Sequence, residues 1–390
     1  MPIIDLIKDY AEDMRHWRRQ LHQIPELGFD CHQTSAFVIR KLREFGVDRL
    51  NEGIAGTGIV AVIDGQGAGN GTTLGLRADM DALPIQENSG LDYASVHTGK
   101  MHACGHDGHT VMLLGAARYL CETRKFSGKV VLIFQPAEEG GGGGRKMVEE
   151  GIMDEFGITE VYALHTSPKV EAGHFQTRPG AIMAAVDLFK INVTGRGGHA
   201  ASPHYTADPL VATLGIATAI QTIISRNHDP RETAVCSITQ FHAGSTHNVI
   251  DETAFISGTI RTFDQKERAM ILRRIQEIAE GQASSYNCRA EVTLTEGYPA
   301  TVNNPEKTVF AAEVAKQVAG EAAVNSNASV DLGAEDFSYM LATRPGAYLF
   351  LGQGEGAGLH TKDFDFNDQI SPFGASFFAR LVEKAQPADI

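Results

Sequence analysis

The sequence has no excess of basic residues, no paired-cysteine motif and no long apolar run. Its 390 residues carry 34 Lys and Arg against 48 Asp and Glu, which gives a formal net charge of −14. Non-specific nucleic-acid binding needs clustered cations that displace counterions from phosphates, so this balance argues against a nucleic-acid partner. No stretch approaches the roughly 18 apolar residues of a membrane span. We therefore expect neither nucleic acid nor membrane as a partner.

The N-terminus and the cysteines bear on the cellular compartment. Asp5, Lys8 and Asp9 interrupt the apolar residues of the N-terminus before the core of a signal peptide can form. The five cysteines are odd in number and contain no C-x-x-C pair. This usage favours a reducing compartment and leaves a cysteine free for metal binding or catalysis. We expect a cytoplasmic protein.

The length of the chain predicts two domains, and the spacing of apolar residues predicts a helix at its N-terminus. Hydrophobic residues make up 43% of the chain and charged residues 21%, a mixture that can form buried cores. At roughly 100–200 residues per domain, the length suggests two domains. An amphipathic helix at the N-terminus is predicted by apolar side chains spaced three or four residues apart, namely Leu6, Tyr10, Met14, Trp17 and Leu21.

The outer parts of the chain alternate strands with helices. The β-rich runs are Gly58–Ile63, Thr73–Arg77, Lys129–Phe134 and Val161–Leu164, with a helical stretch at Gly108–Leu120. The pattern predicts an α/β domain with a largely parallel sheet, in which functional residues lie on loops beyond the carboxyl ends of strands. The alternation of helices and strands resumes near the C-terminus, with a predicted helix at 305–319, a strand at 347–351 and a helix at 374–384.

The middle of the chain follows a β-α-β-β-α-β order, which is the ferredoxin-like arrangement. The predicted strands are 186–194, 234–241, 254–262 and 289–295, and the helices are 207–225 and 265–283. We therefore predict an α/β protein whose catalytic domain is discontinuous, with parts at residues 1–184 and 296–390. The ferredoxin-like domain, residues 185–295, is inserted between them.

The segment MHACGHDGH, residues 101–109, concentrates thiol and imidazole groups in a short glycine-containing loop. Such groups are the usual ligands of Zn²⁺ and similar divalent ions, and Cys104 and His106 are candidates. The alternative is an ordinary helix N-terminus in which Asp107 is the cap, His109 is a surface residue and Cys104 is a small core residue.

A second candidate cluster, Glu138 and Glu139, follows the buried strand that Pro136 ends. Adjacent side chains of an extended segment point in different directions, so one glutamate can bind a metal while the other faces the substrate. That arrangement places a carboxylate base beside a metal-bound water. The alternative is a solvated acidic turn.

Two further histidines, His165 and His360, follow predicted strands, and either one alone carries little weight. Together the five candidate ligands, Cys104, His106, Glu139, His165 and His360, lie in the two outer parts of the chain and none lies in the inserted segment. Five ligands with one further glutamate, Glu138, suit a pair of divalent ions better than a closed four-ligand structural site.

Six strings resemble the M20 metallopeptidase family in its amidohydrolase branch, which contains hippurate hydrolases, N-acyl-amino-acid deacylases and plant auxin-conjugate hydrolases. They are RADMDALPI (77–85), MHACGHDGHT (101–110), FQPAEEGGGG (134–143), GRGGHAASPH (195–204), GAEDFSYM (333–340) and LHTKDFDFND (359–368). The resemblance implies that the five candidates are metal ligands, that Cys104 bridges two ions, and that Glu138 is the catalytic base. After His165 many relatives continue with Asn and Trp, whereas this chain has Thr166-Ser167-Pro168.

The same resemblance assigns roles in the inserted domain, which it implies is a lid and dimerisation domain. His199 is similar to the lid histidine that stabilises the oxyanion in the active site of the neighbouring subunit. Asn248 and Arg261 are similar to residues that hold the free carboxylate of the substrate, for which the planar fork of Arg is suited. A homodimer or homotetramer follows. Asp79 and Asp81 are expected to orient a ligand histidine or support the loop, while His102, His109, His204 and His247 have no assigned role.

The resemblance implies hydrolysis of the amide bond of an N-acyl-L-amino acid, with two divalent ions per subunit. Zinc or manganese are the first candidates, and cobalt or nickel are the alternatives, because mixed S, N and O ligands suit all four. A dipeptide, an N-acetyl-diaminopimelate-like compound and an auxin–amino acid conjugate are alternative substrates for the same site. The rival from another class is a non-catalytic metal-binding protein.

Overall fold

The computed structural model of the protein describes residues 3–388, which form two compact units. The first unit combines the described residues up to Ile182 with Thr301–Ser329 and the described residues from Asp336 onward. The second unit consists of Met183–Ala300 and Val330–Glu335. The short return segment 330–335 joins the second unit because the backbone N–H of Ala184 donates hydrogen bonds to the carbonyls of Asp331, at 3.2 Å, and Gly333, at 2.9 Å.

The elements follow one another in mixed α/β order. In the N-terminal part they are α1 Asp5–Asp9, α2 Ala11–Gln23, α3 His32–Phe45, β1 Arg49–Ile54, β2 Gly58–Asp64, β3 Thr73–Asp79, α4 His106–Thr123, β4 Lys129–Gln135, α5 Gly143–Glu149, α6 Ile152–Glu155, β5 Glu160–Ser167, β6 Phe175–Gln176 and β7 Gly180–Met183. In the middle they are β8 Ala185–Thr194, β9 Gly198–His199, α7 Pro209–Thr222, β10 Ala234–Ala243, β11 Val249–Ile250, β12 Thr253–Thr262, α8 Gln265–Ser285 and β13 Arg289–Glu296. The C-terminal part adds β14 Thr301–Asn303, α9 Pro305–Ala319, β15 Val324–Asn325, α10 Ser338–Leu341, β16 Gly346–Gly352 and α11 Ser371–Ala385.

The first unit is built on an eight-stranded sheet in the order β1-β2-β4-β3-β5-β16-β6-β15. The sheet is mixed rather than largely parallel: β1–β2, β2–β4 and β16–β6 are antiparallel pairs, and the other pairs are parallel. The central strands β4, β3, β5 and β16 are parallel and almost entirely buried, as expected for strands covered on both faces. Their carboxyl ends therefore lie at one edge of the sheet.

The N-terminal apolar stripe faces the core, but on two helices rather than one. Tyr10, Met14, Trp17 and Leu21 are buried, and the chain turns between Asp9 and Ala11. At this break the backbone N–H of Tyr10 bonds to Ile7 three residues back, which ends α1 before α2 begins. Helix α2 packs on α4, which also contacts α3, α11 and β3. The helix that carries His106 is therefore held on several sides.

The second unit has the predicted β-α-β-β-α-β order, in an antiparallel sheet with the strand order β10-β12-β8-β13. Alternate residues of β8, namely Phe189, Ile191 and Val193, point to the face that the helices cover. Helices α7 and α8 contribute a row of isoleucines to this core. The predicted α/β class, with a ferredoxin-like inserted segment, is thus confirmed.

One helical run corrects the expectation that no stretch approaches a membrane span. Residues Pro209–Asn227, which are α7 and the π-helical turn after it, are long and apolar enough to cross a membrane, judged by length and composition alone. Ala, Gly, Thr and Gln interrupt its Leu, Val and Ile residues, so the helix has no continuous run of large apolar side chains. Ile216, Ile220 and Ile223 are buried in the core of the second unit. A packed helix of a globular unit gives the same signal, so the run is weak evidence for a membrane span.

Candidate metal and catalytic site

The loop between β3 and α4 brings Cys104 and His106 to the carboxyl edge of the sheet. His106 is the first residue of α4, and Gly105 before it has a left-handed backbone with φ 89°. A Cβ at position 105 would lie 2.6 Å from the Cγ2 of Thr166, so only glycine allows this approach. Cys104 and His106 are therefore presented side by side against the end of β5.

The five candidate ligands converge, although they are distant in sequence. The Sγ of Cys104 lies 3.3 Å from Nε2 of His165 and 3.3 Å from Nε2 of His360. The Oε1 of Glu139 lies 3.3 Å from Nε2 of His360 and 4.0 Å from Nε2 of His106. His165 lies inside β5, two residues before its last residue, rather than beyond the strand as the sequence suggested, because β5 extends to Ser167.

These side chains form two overlapping groups that could each hold a metal ion. One contains Cys104, His106 and His165, the other contains Cys104, Glu139 and His360, and ligand atoms within each group lie within 4.8 Å of one another. Cys104 is common to both, which is the position that a bridging thiolate needs. The assignment of these residues as ligands stays a prediction.

The buried polar atoms of these side chains also fit the binding of metal ions. Among the described residues, both ring nitrogens of His106 and the Oε1 of Glu139 are buried and make no hydrogen bond. Leaving buried polar atoms without partners is costly, and a cation can satisfy them. Sulfur, nitrogen and oxygen ligands in this combination suit zinc and its first-row neighbours.

Backbone strain occurs on two segments that carry candidate ligands, one with the glutamates and one with His360. Ala137, directly before Glu138, has φ 58°, and His360 has φ 61°. Such values are uncommon for residues other than glycine and persist only where the surroundings hold them. For His360 one holding contact is its backbone N–H, which donates to the carbonyl of Ala103 at 2.7 Å.

Asp81 holds the turn that carries both glutamates. Its Oδ1 accepts the backbone N–H of Glu138 at 2.9 Å, and its Oδ2 accepts the backbone N–H of Glu139 at 3.1 Å. Its Oδ1 also lies 3.5 Å from Nδ1 of His106. The expected supporting role of Asp81 has this geometric basis, and the same carboxylate lies beside the candidate ligand His106.

The protonation of the candidate ligands follows from burial and neighbouring charge. Burial raises the pKa of the Cys104 thiol well above its ordinary value, so the thiolate needs a bound cation. Burial and the nearby His109 lower the pKa of His165 well below its ordinary value, which keeps the ring neutral. Burial opposes the charged form of His106, but Asp79 and Cys104 outweigh it and raise the pKa of His106 well above its usual value. Burial also opposes ionisation of Glu139, yet His360 and His106 lower its pKa.

Comparison with known proteins decides the family. The model of peptidase family M20/M25/M40 matches residues 75–384. The chain belongs to this family. It is 39% identical over 384 residues to the hippurate hydrolase of Campylobacter jejuni, covering 98% of this chain and 99% of the relative. It is 40% identical over 398 residues to thermostable carboxypeptidase 1 of Saccharolobus solfataricus, with 98% and 99% of the two chains covered.

A solved structure of the same family has the same fold. The Bacillus subtilis YXEP protein, described as a dinuclear metal binding peptidase from the M20 family, matches with a TM-score of 0.85 and 32% identity. The match covers 96% of this chain and 98% of that chain. Two features of the first unit support a dinuclear site here, namely the thiol shared by two candidate ligand groups and the second glutamate beside the candidate ligand Glu139.

The residue predicted to stabilise the oxyanion, His199, and the residues predicted to hold the substrate carboxylate, Asn248 and Arg261, lie in the second unit. His199 in β9 is opposite Val249 of β11, and the backbone N–H of Ala200 donates to the carbonyl of Asn248 at 3.1 Å. His199 and Asn248 are therefore neighbours on one small ribbon. Arg261 lies on β12, half-buried, where its Nη1 donates to the carbonyl of Ile260 at 3.1 Å.

The sequence missed a buried network beneath the site. Asp107 does not cap α4 but accepts a hydrogen bond from Nδ1 of His22 at 2.8 Å, and Glu87 lies 3.3 Å from the other ring nitrogen of His22. His109 is buried, not on the surface as one alternative had it. The sequence carried no signal for these contacts, because His22 and Glu87 lie in polar segments where ionisable residues are ordinarily exposed.

Proposed function

We propose that the protein hydrolyses the amide bond of N-acyl-L-amino acids, releasing a carboxylic acid and a free amino acid. The observation that carries the proposal is the cluster of one thiol, three imidazoles and Glu139, with Glu138 directly beside it on the same turn. The membership in the M20 family and the similarity to a hippurate hydrolase over almost the whole chain support it.

Two divalent ions fit the donor set, with Cys104 shared between them. Cys104, His106 and His165 would contribute to one ion and Cys104, Glu139 and His360 to the other. Zinc or manganese are our first candidates, with cobalt or nickel as alternatives. When bound, the ions supply Lewis acidity that lowers the pKa of water and polarises the acyl carbonyl.

Glu138 is the general base in this proposal. Its carboxylate accepts a proton from water while the water oxygen bonds to the acyl carbon, and it then gives the proton to the nitrogen as the C–N bond breaks. Asp81 fixes the backbone of this turn through the two N–H groups that it accepts. The carboxylate of Glu138 is therefore placed by a rigid turn, which proton transfer at hydrogen-bond distance requires.

His199 is proposed to stabilise the developing oxyanion in the active site of a neighbouring copy. Its Nδ1 accepts the backbone N–H of Ala201 at 3.0 Å, so the proton of the neutral ring is on Nε2, where it can be donated. The side chain is exposed in the single chain. A residue that acts in the active site of a neighbouring copy must be accessible in this way. Asn248 and Arg261 are proposed to orient the substrate through its free carboxylate.

A homodimer or homotetramer in the cytoplasm completes the proposal. The exposed side of α7 carries Leu210, Val211 and Leu214, which are 37%, 43% and 50% exposed, and an exposed apolar patch marks a contact surface. All five cysteines are free, which agrees with a reducing compartment.

Alternative substrates share this site, and a panel separates them. The panel contains hippurate, N-acetyl-Met, N-acetyl-Cys, an N-acetyl-diaminopimelate, indole-acetyl-Asp and a dipeptide, and the readout is free amino acid released by chelated and then metal-reconstituted protein. Metal-dependent cleavage of an N-acyl substrate is the expected result. Cleavage of the dipeptide alone would favour a dipeptidase. No cleavage by protein shown to hold two ions would favour the non-catalytic metal-binding alternative.

A further inference from the structure

His109 lies one turn after His106 on α4 and is 1% exposed. Its Nε2 accepts the backbone N–H of Thr166 at 2.9 Å. A backbone amide can only donate, so Nε2 carries a lone pair and the proton of the neutral ring is on Nδ1. That nitrogen lies 2.6 Å from Oδ1 of Asp79, to which it donates. The two hydrogen bonds fix both the tautomer and the orientation of the ring.

These bonds remove His109 from the set of metal ligands. Asp79, His106 and His109 lie close enough to form a ligand group by distance alone. However, the Nε2 lone pair of His109 is already occupied by Thr166, and Oδ2 of Asp79 accepts a hydrogen bond from Nη1 of Arg77 at 2.7 Å. Both residues are therefore committed to contacts within the protein.

Thr166 connects His109 to a predicted ligand. The Nδ1 of His165 donates to the carbonyl oxygen of Thr166 at 2.7 Å, which leaves Nε2 of His165 unprotonated and 3.3 Å from the Sγ of Cys104. The rings of His109 and His165 also pack at 62°, with centroids 4.5 Å apart. Thr166 is thus held through its N–H by His109 and orients His165 through its carbonyl.

We propose that His109 is a positioning residue that holds Thr166 and thereby fixes the direction in which His165 presents Nε2 to the metal site. Asp79, anchored by Arg77, keeps His109 in the tautomer that accepts from Thr166. The inference rests on the proposed function only in taking His165 as a metal ligand.

Two substitutions separate the two hydrogen bonds of His109. In His109→Gln the amide oxygen can occupy the place of Nε2 and accept from Thr166, while the bond to Asp79 is lost. In His109→Asn the amide nitrogen can occupy the place of Nδ1 and donate to Asp79, while Thr166 loses its acceptor. The matched control is His228→Gln, because His228 is a buried histidine of the second unit, bonded to Glu267 at 2.6 Å and to the carbonyl of Glu232 at 3.0 Å.

The probe is Co²⁺ added to chelated full-length protein, followed by its visible absorption and by the number and affinity of ions bound. We expect His109→Asn to lower the affinity for one Co²⁺ by about 10-fold to 100-fold and to shift the visible absorption bands. Loss of a hydrogen-bond partner that orients a metal ligand has effects of this size. His109→Gln and His228→Gln should resemble the wild type. The proposal is overturned if His109→Asn and His109→Gln lower the Co²⁺ affinity equally, or if His109→Asn binds Co²⁺ as the wild type does. It is also overturned if His228→Gln lowers the Co²⁺ affinity as much as His109→Asn.

A second measurement does not depend on the Asn variant folding. The ¹⁵N imidazole spectrum of the wild-type protein should show His109 with its proton on Nδ1, the resonance being assigned by its absence from His109→Gln. A proton on Nε2 overturns the proposal. Neither readout uses a substrate, so a protein that cleaves no N-acyl amino acid would contradict the proposed function without deciding the role of His109.

Discussion

The thiol of Cys104 lies 3.3 Å from Nε2 of His360, although 256 positions separate the two residues in the chain. The contact joins the loop before α4 to the loop after β16, and the backbone N–H of His360 reinforces it by bonding to the carbonyl of Ala103. The left-handed backbone of His360 is thus held beside Cys104. Both halves of the discontinuous first unit therefore contribute to the candidate ligand set.

Cys104→Ser should remove most of the bound metal. A serine hydroxyl does not ionise as a thiol does, and Cys104 is shared by both candidate ligand groups. We expect the metal content, measured by elemental analysis after dialysis, to fall from two ions per chain to one or fewer, with activity lower by at least about 100-fold. Cys121→Ser, at the far end of α4, is the control and should keep both ions. Full metal content in Cys104→Ser would rule out the shared thiolate.

Glu138→Gln should separate catalysis from metal binding. The substitution keeps the size of the side chain but removes the group that accepts the proton, so kcat should fall by a factor of about 100 to 10,000 while KM and metal content change little. The comparison variant is Glu149→Gln on the neighbouring helix α5, where the side chain is 59% exposed. Near wild-type turnover of Glu138→Gln at full metal occupancy would show that another group is the base.

Asp81→Ala should damage both stability and turnover. Two backbone N–H groups, those of Glu138 and Glu139, lose their acceptor, and each buried unsatisfied group costs about 1–3 kcal/mol. We expect a lower urea midpoint and a lower kcat, with Asp81→Asn intermediate because it keeps one acceptor oxygen.

Asp264→Ala is the matched control for Asp81→Ala. Asp264 also accepts two backbone N–H groups, from Lys266 at 2.8 Å and Glu267 at 3.0 Å, but at the start of α8 in the second unit. Its loss should cost about 1 kcal/mol of stability and leave kcat unchanged. If both variants lowered kcat to the same extent, the effect of Asp81 would be one of general stability.

The part of the fold that the sequence predicts is the part that hydrophobic periodicity controls. Strand β4 was expected at Lys129–Phe134 and spans Lys129–Gln135, and α9 has the expected bounds Pro305–Ala319. Short edge strands such as β6 and β15, two residues each, have no such periodicity. They form because neighbouring backbone is already in place, which is information about tertiary structure.

The candidate site, like the fold, has features that the sequence predicts and features that it does not. The family motifs named the residues that converge at Cys104, because thiol, imidazole and carboxylate types are visible in the sequence. The partners of Asp81, His109 and Thr166 were not visible, since a hydrogen bond from a backbone amide leaves no trace in residue type. The side-chain chemistry could be predicted, whereas the backbone contacts that orient it required the structure.

His22 should make the stability of the first unit depend on pH. Burial opposes the charged ring, but hydrogen bonds with Asp107 and Glu87 outweigh burial and raise the pKa of His22 to about 9, from an ordinary value of 6.5. A group with a raised pKa in the folded state stabilises fully below its unfolded pKa, and this stabilisation is lost as the pH rises through the folded pKa. The loss between pH 6.5 and about 9 should therefore be about 3 kcal/mol, at 1.36 kcal/mol per unit.

The single tryptophan, Trp17, lies on the same helix as His22 and reports unfolding of this unit through its fluorescence. In urea titrations the wild type should lose stability across this pH window, and His22→Gln should lose much less, since its side chain carries no charge there. His16→Gln, an exposed change on α2, should behave like the wild type. Other groups that titrate in this pH window contribute equally to both proteins, so their effect cancels in the difference between the unfolding free energies of the wild type and His22→Gln. If this difference did not change with pH, His22 would not be held as an imidazolium between Asp107 and Glu87.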